Sequence, residues 1–199
     1  QGGVLSPLLA NIVLNELDWW IASQWENAIL HNPTKSDVLI NASGTLNKGY
    51  QYRRLKKTRL KECFLVRYAD DFKIFCKKYD SALRLKIATQ QWLANRLNLE
   101  ISVEKSKITD LKCGYSEFLG IKFKLYRKGP KWCIKSHMTD KAIKAEKAVL
   151  KELLVKACKD YGNPAVQHSF ISRYNQAVVG VHEYYSMATM IKEDVHKMF

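Results

Sequence analysis

The chain has 199 residues, 47% hydrophobic and 26% charged, a balance that excludes intrinsic disorder and allows one good core or a domain with an appendage. Its formal net charge of +14 implies a polyanionic partner, with nucleic acid favoured over an anionic membrane because no basic amphipathic helix with a broad aromatic face stands out; the bland alternative is a basic surface kept for solubility. No run approaches the roughly 20 apolar residues of a membrane span, no signal peptide is visible at the start, and Cys63, Cys76, Cys113, Cys133 and Cys158 lack zinc-ligand spacing, which suits a reducing cytosol.

Ser6-Pro7 reads as a helix start, with Ser as N-cap and Pro at the first helical position. Leu9, Ile12, Val13, Leu17, Trp20 and Ile21 then recur at helical spacing and predict a helix to about Ala28. Residues 31–61 read as an insertion. Turn signals at Asn32-Pro33, Ser43-Gly44 and Asn47-Lys48-Gly49 lead into a basic arm holding Lys48, Arg53, Arg54, Lys56, Lys57, Arg59 and Lys61 beside Tyr50 and Tyr52. That mixture suits contacts to RNA phosphates and bases, and equally a solvated loop.

Two runs rich in β-branched and aromatic residues follow, Cys63 to Tyr68 and Phe72 to Cys76. Ala69-Asp70-Asp71 lies between them, so the segment predicts a hairpin with acids at its tip, and Cys63 and Cys76 read as core thiols. Asp80-Ser81 is expected to cap a helix with Leu83, Ile87, Leu93 and Leu97 on one face, and Leu99 to Val103 to form a short strand. Phe118 to Tyr126 predicts a strand, Lys128-Gly129-Pro130 a turn, and Trp132 to Ile134 the return. Three helices are expected after that: Asp140 to Lys159, one opened by Gly162-Asn163-Pro164 and running to about Tyr185, and one from near Met190. The change of character near residue 136 suggests a domain boundary there.

Adjacent carboxylates at a hairpin tip repel, and each raises the other's pKa, so a divalent cation is one reason to keep them together. Mg²⁺ is the natural ion, because it takes hard oxygen ligands and keeps waters for a phosphate substrate. The alternative is an ordinary surface Asp-Asp turn.

Tyr68-Ala69-Asp70-Asp71 resembles the signature of reverse transcriptases in the form typical of bacterial retroelements. Gln1 to Ile12 is similar to the segment that precedes it in those enzymes. Leu99-Glu100-Ile101-Ser102 with Lys105-Ser106-Lys107, and Glu117-Phe118-Leu119-Gly120, are similar to the next two blocks. The basic insertion, the wording from Val66 to Ile74 and the tail with Tyr174-Asn175-Gln176 and Glu183-Tyr184-Tyr185 resemble group II intron-encoded proteins, which are reverse transcriptases and splicing maturases. The chain departs from that pattern after Gly180, where Val181-His182 stands in place of the family's usual Trp.

The resemblance implies an α+β fold, a polymerase palm over residues 1–136 followed by a helical thumb over 137–199. It implies an RNA-directed DNA polymerase that uses two Mg²⁺ ions, with intron RNA as template, a DNA primer and dNTPs as partners, in a bacterial cytosol or nucleoid. Asp70 would bind metal with Asp71 in support. Gln1, Gly2, Gly3 and Tyr68 would lie by the incoming nucleotide, and Leu119 and Gly120 would grip the primer. Lys105 matches the position of the general acid for pyrophosphate, against the reading of one more surface cation. The chain does not begin with Met and is expected to be a fragment, inactive alone because a further metal-binding Asp is supplied upstream; Glu16 and Asp18 are poor substitutes. The alternatives are an RNA-binding maturase without polymerase activity and a retron-type reverse transcriptase.

Overall fold

In the computed structural model, which describes residues 5–28, 39–102, 104–159, 162 and 164–198, helices and antiparallel strands form two units, Gln1–Ile108 and Thr109–Phe199. The protein is thus α+β. Among the described residues no helix is long and apolar enough to cross a membrane.

The first unit is built on α1 (Ser6–Gln24). Leu5, not Ser6, occupies the N-cap, and no side chain caps the helix. Pro7 is tolerated in the first turn because the amide it lacks has no helical acceptor there. The helix ends at Gln24, short of Ala28. Its buried stripe is Leu14, Leu17 and Ile21, continuing into Trp25, whereas Leu9, Ile12 and Val13 are exposed. This helix carries apolar residues on more than one face, so periodicity alone could not choose the buried one.

A short hairpin, β1 (Leu39–Ile40) and β2 (Leu46–Asn47), precedes α2 (Gly49–Leu55). The predicted turn at Asn32-Pro33 lies outside the described residues. Next come β3 (Cys63–Tyr68) and β4 (Asp71–Cys76), paired antiparallel along their full lengths. Cys63 is buried and stands directly opposite Cys76.

Helix α3 (Tyr79–Trp92) packs on β4. Its N-cap is Lys78, and Asp80 lies in the first turn, where its charge favours the helix dipole instead of capping. Leu83 and Ile87 are exposed, while Thr89 and Leu93 are buried and Leu85 and Trp92 pack on the core. Trp92 stacks on Trp20 at 5.1 Å between ring centroids. The helix widens into a π-turn at Leu93–Leu97 and stops at Asn98, whose φ of 53° ends it in the left-handed region. Leu99 to Ser102 forms no strand, contrary to expectation.

The second unit holds β5 (Ser116–Phe118), β6 (Ile121–Lys128) and β7 (Lys131–Met138) in that order, antiparallel, with α4 (Asp140–Lys159), α5 (Pro164–Tyr184) and α6 (Ile191–His196). The expected single strand from Phe118 is broken at Leu119-Gly120. Composition changes near residue 136, but Met138 and Ile121 of the sheet share a core with Leu150, Val181, Tyr185 and Val195, so the sheet packs with the helices that follow it. Asp194 is fully buried; it accepts from the Met138 amide at 2.8 Å and lies 2.8 Å from His137 Nδ1, tying α6 to β7.

Candidate active site

The register of the β3–β4 hairpin sets Tyr68 opposite Asp71 and leaves Ala69 and Asp70 as the two turn residues. Paired residues share a face, so Asp71 and Tyr68 point one way and Arg67 and Phe72 the other. Asp70, Asp71 and Tyr68 are all exposed. Ala69 adopts φ 53°, a left-handed conformation that costs an alanine about 1–2 kcal/mol.

Arg67 holds that turn in place. Its Nε and Nη2 donate to Asp18 Oδ1 and Oδ2 at 2.8 and 2.6 Å, and its Nη1 donates to Asn11 Oδ1 at 2.8 Å and to the Ala69 carbonyl at 2.7 Å. One guanidinium therefore joins two turns of α1 to the backbone at the hairpin tip. Its side chain is only 11% exposed, and the hydrogen bonds it donates to Asp18 push its pKa up, so its charge is permanent. Local strain persists where surrounding contacts over-determine it, and the Arg67 to Ala69 bond is such a contact. From the sequence Asp18 is visible only as a poor substitute for a metal ligand, and its partnership with Arg67 and Asn11 is not visible, because no motif pairs residues so far apart in the chain.

Asp18 is engaged by Arg67, and Glu16 accepts from Arg96 Nε at 2.8 Å, so neither α1 carboxylate is left for a metal. Among the described residues no third His, Cys, Asp or Glu joins Asp70 and Asp71 in a metal-binding group. Two exposed, adjacent carboxylates suit Mg²⁺ all the same, since that ion commonly takes one or two carboxylates and fills its shell with waters and substrate phosphate.

The other expected site residues are placed as follows. Gln1, Gly2 and Gly3 lie outside the described residues. Lys105 is exposed and, among the described residues, forms no ion pair with Asp70 or Asp71. Leu119 and Gly120 are the two turn residues between β5 and β6, with Phe118 opposite Ile121. Both have positive φ, 50° and 76°, as a type I′ hairpin turn requires, and the β-carbon of Leu119 makes that costly. A Cβ on Gly120 would meet the Tyr185 hydroxyl at 3.1 Å, so glycine also lets that ring approach.

The basic arm is not a loose loop. Tyr50 to Leu55 lie in α2, which is seated by Leu55, 0% exposed, and by Tyr52, whose ring meets Phe64 edge-on at 6.2 Å. The Tyr52 hydroxyl donates to Glu26 at 3.4 Å, and burial followed by Glu26 raises its pKa. Lys48 donates to Asn27 at 3.1 Å, Lys56 lies 3.7 Å from Glu62, and Arg53 covers the Tyr50 ring at 5.2 Å. Lys57, Arg59 and Lys61 follow the helix and are exposed.

A family profile described as reverse transcriptase (RNA-dependent DNA polymerase) matches residues 1–123. The group II intron-encoded protein LtrA of Lactococcus lactis subsp. cremoris is 33% identical over 156 residues, covering 65% of this chain and 26% of that protein. Protein YkfC of Escherichia coli is 28% identical over 124 residues, 60% of this chain and 30% of that protein. The putative COX1/OXI3 intron 2 protein of Saccharomyces cerevisiae is 27% identical over 145 residues, 63% of this chain and 17% of that protein. The chain spans about a quarter of the length of the first of these relatives.

Proposed function

Because this chain belongs to the reverse transcriptase (RNA-dependent DNA polymerase) family and is homologous to group II intron-encoded proteins, we propose that it is the palm and the start of the thumb of an enzyme that copies intron RNA into DNA. The observation that carries this reading is the Asp70-Asp71 pair, exposed on a strained turn that Arg67 fastens to α1. Asp70, with Asp71 in support, would hold two Mg²⁺ ions, which supply charge stabilisation for the leaving pyrophosphate and a more acidic primer 3′ hydroxyl.

The chain's own residues do the positioning. Tyr68 shares a face with Asp71 and offers an exposed ring to the nucleotide. Gln1, Gly2 and Gly3 are proposed to lie by the same nucleotide, glycine allowing close backbone approach. Lys105 is proposed to donate a proton to pyrophosphate. Leu119 and Gly120, on the turn between β5 and β6, are proposed to grip the primer. The basic arm is proposed to hold intron RNA and so to assist splicing.

The test is primer extension on RNA with Mg²⁺ and dNTPs by a full-length protein containing this segment. Asp70→Ala should lower the rate by about three orders of magnitude or more, since charge stabilisation is usually the largest catalytic term. Near-normal extension by that variant would overturn the assignment of Asp70. The isolated chain is proposed to bind RNA without extending a primer, because Asp70 and Asp71 lack a third carboxylate partner among the described residues.

A further inference from the structure

Between Ile121 and Met138 the β6–β7 hairpin carries Lys122, Lys124, Arg127, Lys128, Lys131 and Lys135 and no acidic residue. The register sets Lys124 directly opposite Lys135 and Lys128 directly opposite Lys131. Both pairs lie on one face, with Tyr126 and Cys133 between them. Like charges directly opposite one another destabilise a sheet. Lys122, on the same face, shows how such a charge is usually settled: it donates to both oxygens of Asp140 at 2.7 Å, and that contact lowers the Asp140 pKa. Among the described residues no carboxylate does the same for Lys124, Lys128, Lys131 or Lys135. Lys124 instead lies 4.8 Å from the Tyr115 ring centroid, so aromatic surface accompanies the cations.

The other face of the hairpin holds the buried Ser136 and Met138 and, toward its tip, the exposed Trp132 and Ile134. The lysine face thus carries tyrosine rings but none of the exposed aliphatic or tryptophan side chains that a lipid surface would take up, Trp132 and Ile134 lying on the other face.

We propose that this lysine face binds the phosphodiester backbone of a nucleic-acid strand, Lys124, Lys128, Lys131 and Lys135 each meeting phosphate and Tyr126 offering a ring to a base. The two opposed pairs are kept, against their mutual repulsion, because a polyanion neutralises them. This rests on the reading of the chain as a nucleic-acid polymerase and adds a surface distinct from the basic arm.

The experiment replaces Lys124, Lys128, Lys131 and Lys135 together with Gln in the 199-residue chain. A second variant, with Lys141, Lys144, Lys151 and Lys159 of α4 changed to Gln, matches its net charge. Binding to a single-stranded RNA and to an RNA–DNA hybrid is measured across a salt series, with phosphatidylserine vesicles as a second polyanion and thermal unfolding alongside. Each lost phosphate contact removes about 0.7–0.9 from the slope of log affinity against log salt, so the hairpin variant should lose roughly 3 from that slope. Its affinity at low salt should fall about tenfold or more, while its melting temperature holds or rises as the repulsion is relieved. Stronger loss on RNA than on the hybrid assigns the face to a single strand, and the reverse assigns it to the duplex. An unchanged slope, an equal loss in the α4 variant, or a loss confined to vesicles would overturn the proposal. If the unaltered chain binds and the hairpin variant binds equally, only this face falls; if the unaltered chain binds neither nucleic acid, the polymerase reading falls with it.

Discussion

Arg67 and Asp18 meet through two parallel hydrogen bonds, at 2.8 and 2.6 Å, that fasten the strand leading to Asp70 onto the first helix. The same guanidinium reaches the Ala69 carbonyl, so the position of the acidic tip depends on a side chain that bears no acid itself. Arg67→Lys keeps the charge but cannot reproduce the planar fork. It should lower kcat for primer extension about 100-fold through misplacement of the tip, with KM for primer–template little changed. Stability should fall by about 2 kcal/mol, the scale of lost hydrogen bonds to a charged group. Stopped-flow extension and urea unfolding of a full-length protein check both numbers; a loss of stability with kcat intact would show that Arg67 is structural only.

The Leu119 turn gives a trade between stability and binding. Asn tolerates the left-handed region far better than Leu and is favoured in this kind of hairpin turn. Leu119 is 39% exposed, so only part of its apolar surface is covered and the burial lost on replacing it offsets only part of the relieved strain. Leu119→Asn should therefore raise the melting temperature slightly, by the equivalent of about 0.5–1 kcal/mol, and weaken primer–template binding. Differential scanning fluorimetry and a fluorescence-anisotropy titration suffice. Unchanged binding would remove Leu119 from the primer site.

The basic arm is separable from the core that carries it. Arg53, Arg54, Lys56 and Lys57 flank Leu55 and Tyr52, which do the anchoring, and Ala has high helix propensity, so changing the four to Ala leaves the seat of α2 intact. In a full-length protein this variant should bind intron RNA more weakly, with a shallower salt slope, and splice poorly, while extension on an unrelated RNA changes little. If extension falls as far as splicing, the arm belongs to the polymerase cleft.

Cys63 supplies a pH dependence. Burial first, and the facing Cys76 thiol second, push its pKa up to about 11. In the unfolded chain a thiol ionises near about 8.5, so above that value the unfolded state loses a proton that the folded state keeps. The stability associated with neutral Cys63 is therefore fully present below about pH 8.5 and declines progressively toward about pH 11. Urea midpoints taken from pH 7 upward should fall less steeply for Cys63→Ala than for the unaltered chain. Exposed Cys113 and Cys158 should react with iodoacetamide well before Cys63 does.

The acidic hairpin and the basic character were legible in the residues because they depend on composition and near neighbours: β-branched and aromatic runs over Cys63 to Cys76, two adjacent Asp residues between them, and charge summed along the chain. The α4 helix was legible end to end for the same reason, with Asp at its start and Lys in its last turn. Which apolar stripe is buried was not legible. In α1, and in α3 with the π-turn that continues it, the residues Ile12 and Ile87 satisfy helical spacing as well as Ile21 and Leu93 do, and only the strands packed against each helix decide between them. Nor was the arm's true form, because Leu55 becomes an anchor only within a core that also holds Trp25, thirty residues earlier in the chain. Arg67 was invisible for the deepest reason: its partners Asn11 and Asp18 come from another element, and a residue whose role lies in joining elements acquires that role only when the chain has folded.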